Sequence, residues 1–195
     1  LTSDAAGYNT GIGHNAGAAV TTAVQNTLIG ALAGDAITTG SFNVATGFGA
    51  LGAATTAVQN AAFGRLSLED NTTGANNTAI GNHSLGSNTT AANNTGVGYF
   101  ALGANTTGTS NTSVGANSLD ANTTGANMVA VGNNALGKNT TASFNIGIGS
   151  GALAENTTGA ENVAIGYLAL TNNTTGTHNV AVGASDGSSG ATLGT

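Results

Sequence analysis

A glycine returns every 17 residues from Gly13 to Gly183, through Gly30, Gly47, Gly64, Gly81, Gly98, Gly115, Gly132, Gly149 and Gly166, with no insertion or deletion. Such phasing restricts the chain to repeat architectures, in which one short unit is stacked many times. Counting each unit from the residue four before the glycine gives eleven units whose position 1 is Asn, from Asn9 to Asn179, with Met128 the one departure. Position 9 is Leu in eight units, from Leu51 to Leu170, and positions 13 and 14 are Thr-Thr in ten. Seventeen residues are too few for a pair of helices, and the density of Gly, Asn and Thr with β-branched residues at positions 2 and 4 favours short strands and tight turns. The expectation is an all-β, parallel β-solenoid of eleven coils, each rising about 4.8 Å, so that equivalent residues stack on one another along a rod of about 50 Å.

The organisation is one continuous solenoid with internal variation. Residues 1–8 read as a partial leading coil, 9–59 as three variant coils, 60–178 as seven regular coils carrying Asn-Thr-Thr, and 179–195 as a degenerate last coil. The chain opens at Leu1 without an initiator Met or a basic stretch followed by an apolar core, which reads as a processed or partial chain.

Alternation along a strand places positions 2 and 4 on one face and position 3 on the other. Because positions 2 and 4 are apolar or Thr, they are expected inside the coil, with position 3 outside. That outer column reads Ala45, Ala62, Ala79, Gly96, Ser113, Ala130, Gly147, Ala164 and Ala181 after Gly11 and Leu28, and carries no charge. A solvated face would collect charged residues over so many coils, so the column is expected to meet another chain. Position 12 is Asn71, Asn88, Asn105, Asn122, Asn139, Asn156 and Asn173 in the regular coils but Val20, Ile37 and Ala54 in the variant ones. A site that takes Val or Ile in place of Asn points inward, and a stacked column of amides there predicts an asparagine ladder.

Charge and chemistry narrow the functional classes. Two basic against eight acidic residues give a net charge of -6, which argues against nucleic acid and anionic membranes. No apolar run approaches the roughly 20 residues of a membrane span. The absence of Cys removes thiol catalysis and Cys-based metal sites. His14, His83 and His178 fall at positions 6, 7 and 17, so they form no metal column and read as surface turn residues. Glu69-Asp70, on a corner that also carries Asp35, Asp120, Lys138 and Glu155, reads as solvation. No cofactor, metal or catalytic constellation is expected, and the chain is read as non-enzymatic. Asn-Thr-Thr fits the N-glycosylation pattern, but inward-facing Asn side chains would not be acceptors. Phe48, Tyr99 and Tyr167 at position 6 and Phe100 at position 7 are candidate surface recognition residues, since aromatic rings give large contact area at low entropic cost.

Asn162-Val163-Ala164-Ile165-Gly166 and Asn77-Thr78-Ala79-Ile80-Gly81, followed by Ala169-Leu170 or Ser84-Leu85, resemble the head repeats of trimeric autotransporter adhesins, the YadA-like head. With the preceding Asn-Thr-Thr-Gly, the units are also similar to repeats of bacteriophage tail fibres and bacterial surface fibre proteins. The resemblance covers nearly the whole chain. It implies a left-handed β-roll, a homotrimer about one axis, and an exposed adhesive role on a cell surface or virion tail, binding a surface receptor or glycan. A self-assembling extracellular filament subunit is the alternative. An ice-binding solenoid is a third reading, weakened because alternation exposes only one Thr of each adjacent pair.

Overall fold

The computed structural model describes residues 7–185. Eleven three-residue strands, from β1 (Thr10–Ile12) to β11 (Val180–Val182), recur at the sequence period and form one parallel sheet in chain order. Pairing is strictly in register: Thr78, Ala79 and Ile80 stand against Thr95, Gly96 and Val97 one coil on. The expected parallel β-solenoid is therefore what these residues form, without a helix among those described. The leading residues 1–6 and, within the last coil, residues 186–195 lie outside the described residues.

The local geometry explains the sequence columns. Each strand ends at the phased glycine because its φ lies near +130°, a region closed to residues with a Cβ. At Gly13 (φ 130°) an added Cβ would stand 2.6 Å from the carbonyl carbon of Gly30 in the next coil, so stacked coils approach too closely there for any side chain. Positions 7, 9 and 17 turn through the left-handed region, as at Asn117 (φ 53°), Leu119 (φ 50°) and Asn127 (φ 58°). A left-handed Leu costs roughly 1–2 kcal/mol. Full burial of a Leu contributes roughly 1.5–3 kcal/mol, which offsets the strain and explains why Leu rather than Gly occupies position 9 in most coils.

The core is thin and is built from positions 1, 3, 8, 9, 12 and 15. Leu68, Leu85, Leu102, Leu119, Leu136 and Leu153 are fully buried, as are the facing alanines such as Ala79, Ala130 and Ala164. Here the structure corrects the assignment of faces. Position 3 points into the coil: Ala45, Ala62, Ala79, Ser113, Ala130, Ala164 and Ala181 are buried within the single chain, with Gly96 and Gly147 in the same column. Positions 2 and 4 point out. The reason is steric, since the interior beside position 3 is already filled by Leu at position 9 and by the position-8 residue. A Cβ at Gly96 would lie 2.6 Å from Ser84 Oγ, and one at Gly147 would lie 3.3 Å from Leu136 Cγ. Small residues at position 3 thus record close packing inside the coil, and they do not form an oligomer face.

Leu28 fits the same account. Its coil carries Gly34 at position 9, where an added Cβ would meet Leu28 Cδ2 and Ile37 Cδ1 at 2.8 Å. Leu28 therefore occupies the space that the position-9 Leu fills elsewhere.

Two amide ladders run through the interior, one confined to the seven regular coils and one continuing through the variant coils as well. In the expected one at position 12, Asn88 Nδ2 donates to Asn71 Oδ1 (2.9 Å), and the pattern repeats from Asn105 to Asn88 (3.1 Å), Asn122 to Asn105 (2.8 Å), Asn139 to Asn122 (3.2 Å), Asn156 to Asn139 (3.0 Å) and Asn173 to Asn156 (2.8 Å). Each Nδ2 also donates to the carbonyl three residues on, closing its own turn, as Asn122 does to Gly125 (3.0 Å). The second ladder, at position 1, was visible as a column without its role. Asn43 Oδ1 accepts from the backbone N–H of Asn60 (3.0 Å), while Asn43 Nδ2 donates to Ala57 O (2.8 Å), tying the strand to the far side of its coil. Buried amides are costly only when unpaired, and these are paired in every direction.

Candidate functional site: an apolar sheet face and its aromatic border

The outward columns of the sheet form the most extensive feature of the surface. Position 4 presents Ile12, Ile29, Thr46, Phe63, Ile80, Val97, Val114, Val131, Ile148, Ile165 and Val182, and position 2 presents only Thr, Val, Ile and Ala. No charged residue occurs in either column. Ile80 is 43 % and Ile165 38 % exposed, although both lie mid-sheet and are flanked by paired strands. Two columns about 7 Å apart over a rod of about 50 Å make an uncharged face of about 350 Å², rich in Val and Ile and interspersed with Thr. The face is legible in the sequence as a β-branched stripe. Its direction was not, because alternation gives two faces without saying which is inside.

The corner next to the sheet carries the candidate recognition residues. Phe48, Tyr99 and Tyr167 are exposed, and Arg65 lies over the Phe48 ring at 5.9 Å. Phe100 is less free: its ring stacks on His83 at 4.7 Å with planes 12° apart, and Tyr99 tilts against it at 4.8 Å. His83 Nε2 stands 3.5 Å from Glu69 Oε2, and His83 Nδ1 is buried without a hydrogen-bond partner. The structure thus corrects the reading of His83 and Glu69 as independent solvated residues. Glu69 and His83 are 14 residues apart, so one coil's position 10 reaches the next coil's position 7. The same offset brings Lys138 or His178 to no shared site: Lys138 pairs with Glu155 at 2.6 Å and His178 with Glu161 at 2.9 Å, both on exposed edges.

Asp120 titrates away from its ordinary value. Burial pushes its carboxyl above the ordinary value of 3.8, while its own backbone N–H and that of Ala121 pull the other way. Among the described residues no group of three or more His, Asp or Glu could hold a metal ion, and no helix is long and apolar enough to cross a membrane.

The third face is polar. Position-13 Thr hydroxyls donate across coils to the next position-13 carbonyl, from Thr21 to Thr38 (2.9 Å) through Thr157 to Thr174 (3.0 Å). Only position 14, from Thr22 to Thr175, is a fully exposed Thr row. The Asn of each Asn-Thr-Thr is engaged in the ladder and is not presented for glycosylation.

These features define a parallel β-solenoid whose sheet presents an exposed, uncharged face rich in Val and Ile. The chain matches no family model, no curated protein and no solved structure.

Proposed function

We propose that the chain is a non-enzymatic structural and adhesive fibre module, assembled as a left-handed homotrimer and displayed outside the cell on a bacterial surface or phage tail. The observation that carries this reading is the uncharged Val/Ile/Thr face at positions 2 and 4, unbroken over eleven strands. Removing such a surface from water yields about 25 cal/mol for each Å² of apolar area, which favours covering the face with another chain. The resemblance of Asn162–Gly166 to adhesin head repeats supplies the three-fold arrangement. In the assembly the interior remains as in one chain, and the aromatic border at Phe48, Tyr99 and Tyr167 stays outward for a receptor or glycan.

Mass by light scattering tests the reading. The wild-type chain is expected at three times the 18.5 kDa of one chain. Val131→Lys with Ile148→Lys is expected to give monomer, because two ammonium groups would be desolvated in the contact. Ala126→Arg, at outward position 16, is expected to leave the trimer intact. A wild-type monomer overturns the reading, and a mass that grows with concentration favours the end-to-end filament.

A further inference from the structure

The repeat builds a small slot at one corner of the coils whose position 10 is glycine, and in one of them position 7 has no side chain to fill it. Where position 10 is glycine, the position-7 side chain of the same coil lies over it. An added Cβ at Gly103 would stand 2.7 Å from Phe100 Cδ1, and one at Gly86 or Gly137 would fall on the side chain of His83 or Asn134. In the third coil positions 7 and 10 are both glycine, Gly49 and Gly52, so the coil supplies no ring of its own, and Leu66 Cδ2 of the next coil stands 2.8 Å from where a Gly49 Cβ would lie. A notch of about 300 Å³ opens there.

The walls of the notch match those of the filled slot two coils on. A shift of 34 residues carries Gly49 onto His83, Gly52 onto Gly86, Asp35 onto Glu69, and Leu66 onto Phe100. His83 is held by Glu69 at 3.5 Å and by stacking on Phe100. The vacant slot therefore retains the carboxylate that faces a ring nitrogen and an apolar side chain in the stacking place, while the ring is missing. Phe48 lines the rim, and Glu69 and Asp70 add negative charge on the far wall. The nearest cation, Arg65, lies over Phe48 and makes no ion pair with these carboxylates among the described residues.

We propose that the slot between Gly49 and Gly52 binds a planar organic cation, an imidazolium, amidinium or guanidinium, which lies over Gly52 against Leu66 and donates to Asp35. Flatness is favoured because the equivalent slot two coils on holds the stacked His83 ring, and charge by three carboxylates lining the notch without a cationic residue. The slot is a corner feature, separate from the sheet face, so it stands whether or not the chains assemble.

Benzamidine is the probe, with benzamide as its neutral twin, followed by the backbone amide resonances of Gly49 and Gly52. Saturable shifts are expected with benzamidine, and binding at least about tenfold weaker with benzamide. Asp35→Asn, a substitution of a half-buried corner residue without an ion-pair partner among those described, is expected to abolish that discrimination. Gly49→His is expected to occlude the slot with its own ring: Gly49 (φ 62°) and His83 (φ 56°) share one backbone conformation, and the Leu66 side chain, whose Cδ2 lies 2.8 Å from the new Cβ, turns aside to admit it. N-acetyl-arginine amide distinguishes the sources: tighter binding than benzamidine assigns the slot to a partner's side chain, weaker binding to a free small cation. The proposal is overturned by the absence of saturable shifts at Gly49 and Gly52, by equal affinity for the two twins, or by undiminished binding in Gly49→His.

Discussion

The first three coils, residues 9–59, and the seven that follow, residues 60–178, share one backbone and fill it differently. In the regular coils position 3 is small, position 9 is Leu and position 12 is Asn. In the second coil the Leu has moved to position 3 as Leu28, position 9 has become Gly34, and Ile37 replaces the amide. Both fillings are buried. The difference teaches that the coil fixes a total interior volume and leaves open which column supplies it, whereas the amide ladder is a commitment shared by the seven regular coils, in which each inner Asn depends on two neighbours.

The largest expected effect breaks the ladder at its middle. Asn122 donates to Asn105 Oδ1 and Gly125 O, and accepts from Asn139 Nδ2 and the Gly125 N–H. Asn122→Val would strip four partners at once and is expected to cost about 3 kcal/mol by denaturant unfolding. Asn71→Val, where the ladder meets Ala54, removes only the acceptor of Asn88 and the local turn bond, and is expected to cost about 1 kcal/mol. Val20 and Ile37 are tolerated because they lie before the ladder begins. Equal losses at the two sites would show that the amides act singly.

Next in size is the volume exchange. Leu28→Ala is expected to cost about 3 kcal/mol through the cavity it leaves. Gly34→Leu alone is expected to destabilise by overpacking against Leu28 and Ile37. The double variant, which recreates the regular filling, is expected to recover to within about 1 kcal/mol of the wild type. Additive losses would contradict the exchange.

Met128 is the break in the other ladder. Asn111 Oδ1 still accepts its backbone N–H (3.1 Å), and its sulfur accepts from Asn139 Nδ2 (3.3 Å), but it has no oxygen for the N–H of Asn145. Met128→Asn is expected to restore the link and raise stability by about 1 kcal/mol, read as a higher Tm.

The smallest effect is that of pH at Asp120. Its folded carboxyl lies above 3.8, so as pH rises from that value the unfolded chain loses its proton first and folding is penalised. Asp120→Asn is therefore expected to raise Tm slightly at pH 7, with the gain vanishing below about pH 3.8. A gain independent of pH would assign the effect to something other than ionisation.

The period, the strands and the position-12 ladder were legible because stacking makes equivalent residues meet, so the glycine constraint is written eleven times and the ladder seven times. The direction of the strand faces was not. Apolar content favoured positions 2 and 4 for the interior, but a coil this thin, with Leu at position 9 and two amide columns inside, has room only for Ala, Gly or Ser at position 3. The signal that would have shown this was the single coil in which bulk at Leu28 coincides with Gly34 and Ile37. The pairing of Glu69 with His83 was hidden because a 14-residue offset between two columns has meaning only after the corners are known.

Thiol labelling tests the inside-out strand most directly, since the chain has no cysteine of its own. Ala130→Cys and Val131→Cys place a thiol at adjacent positions of β8 (Val129–Val131). In dilute protein the thiol at 131 is expected to react freely and the one at 130 only on global unfolding. As concentration rises and chains assemble, the thiol at 131 should become protected as well. Fast labelling at 130 with protection at 131 in dilute protein would contradict the account, because it would return positions 2 and 4 to the interior and remove the exposed face on which the proposed assembly rests.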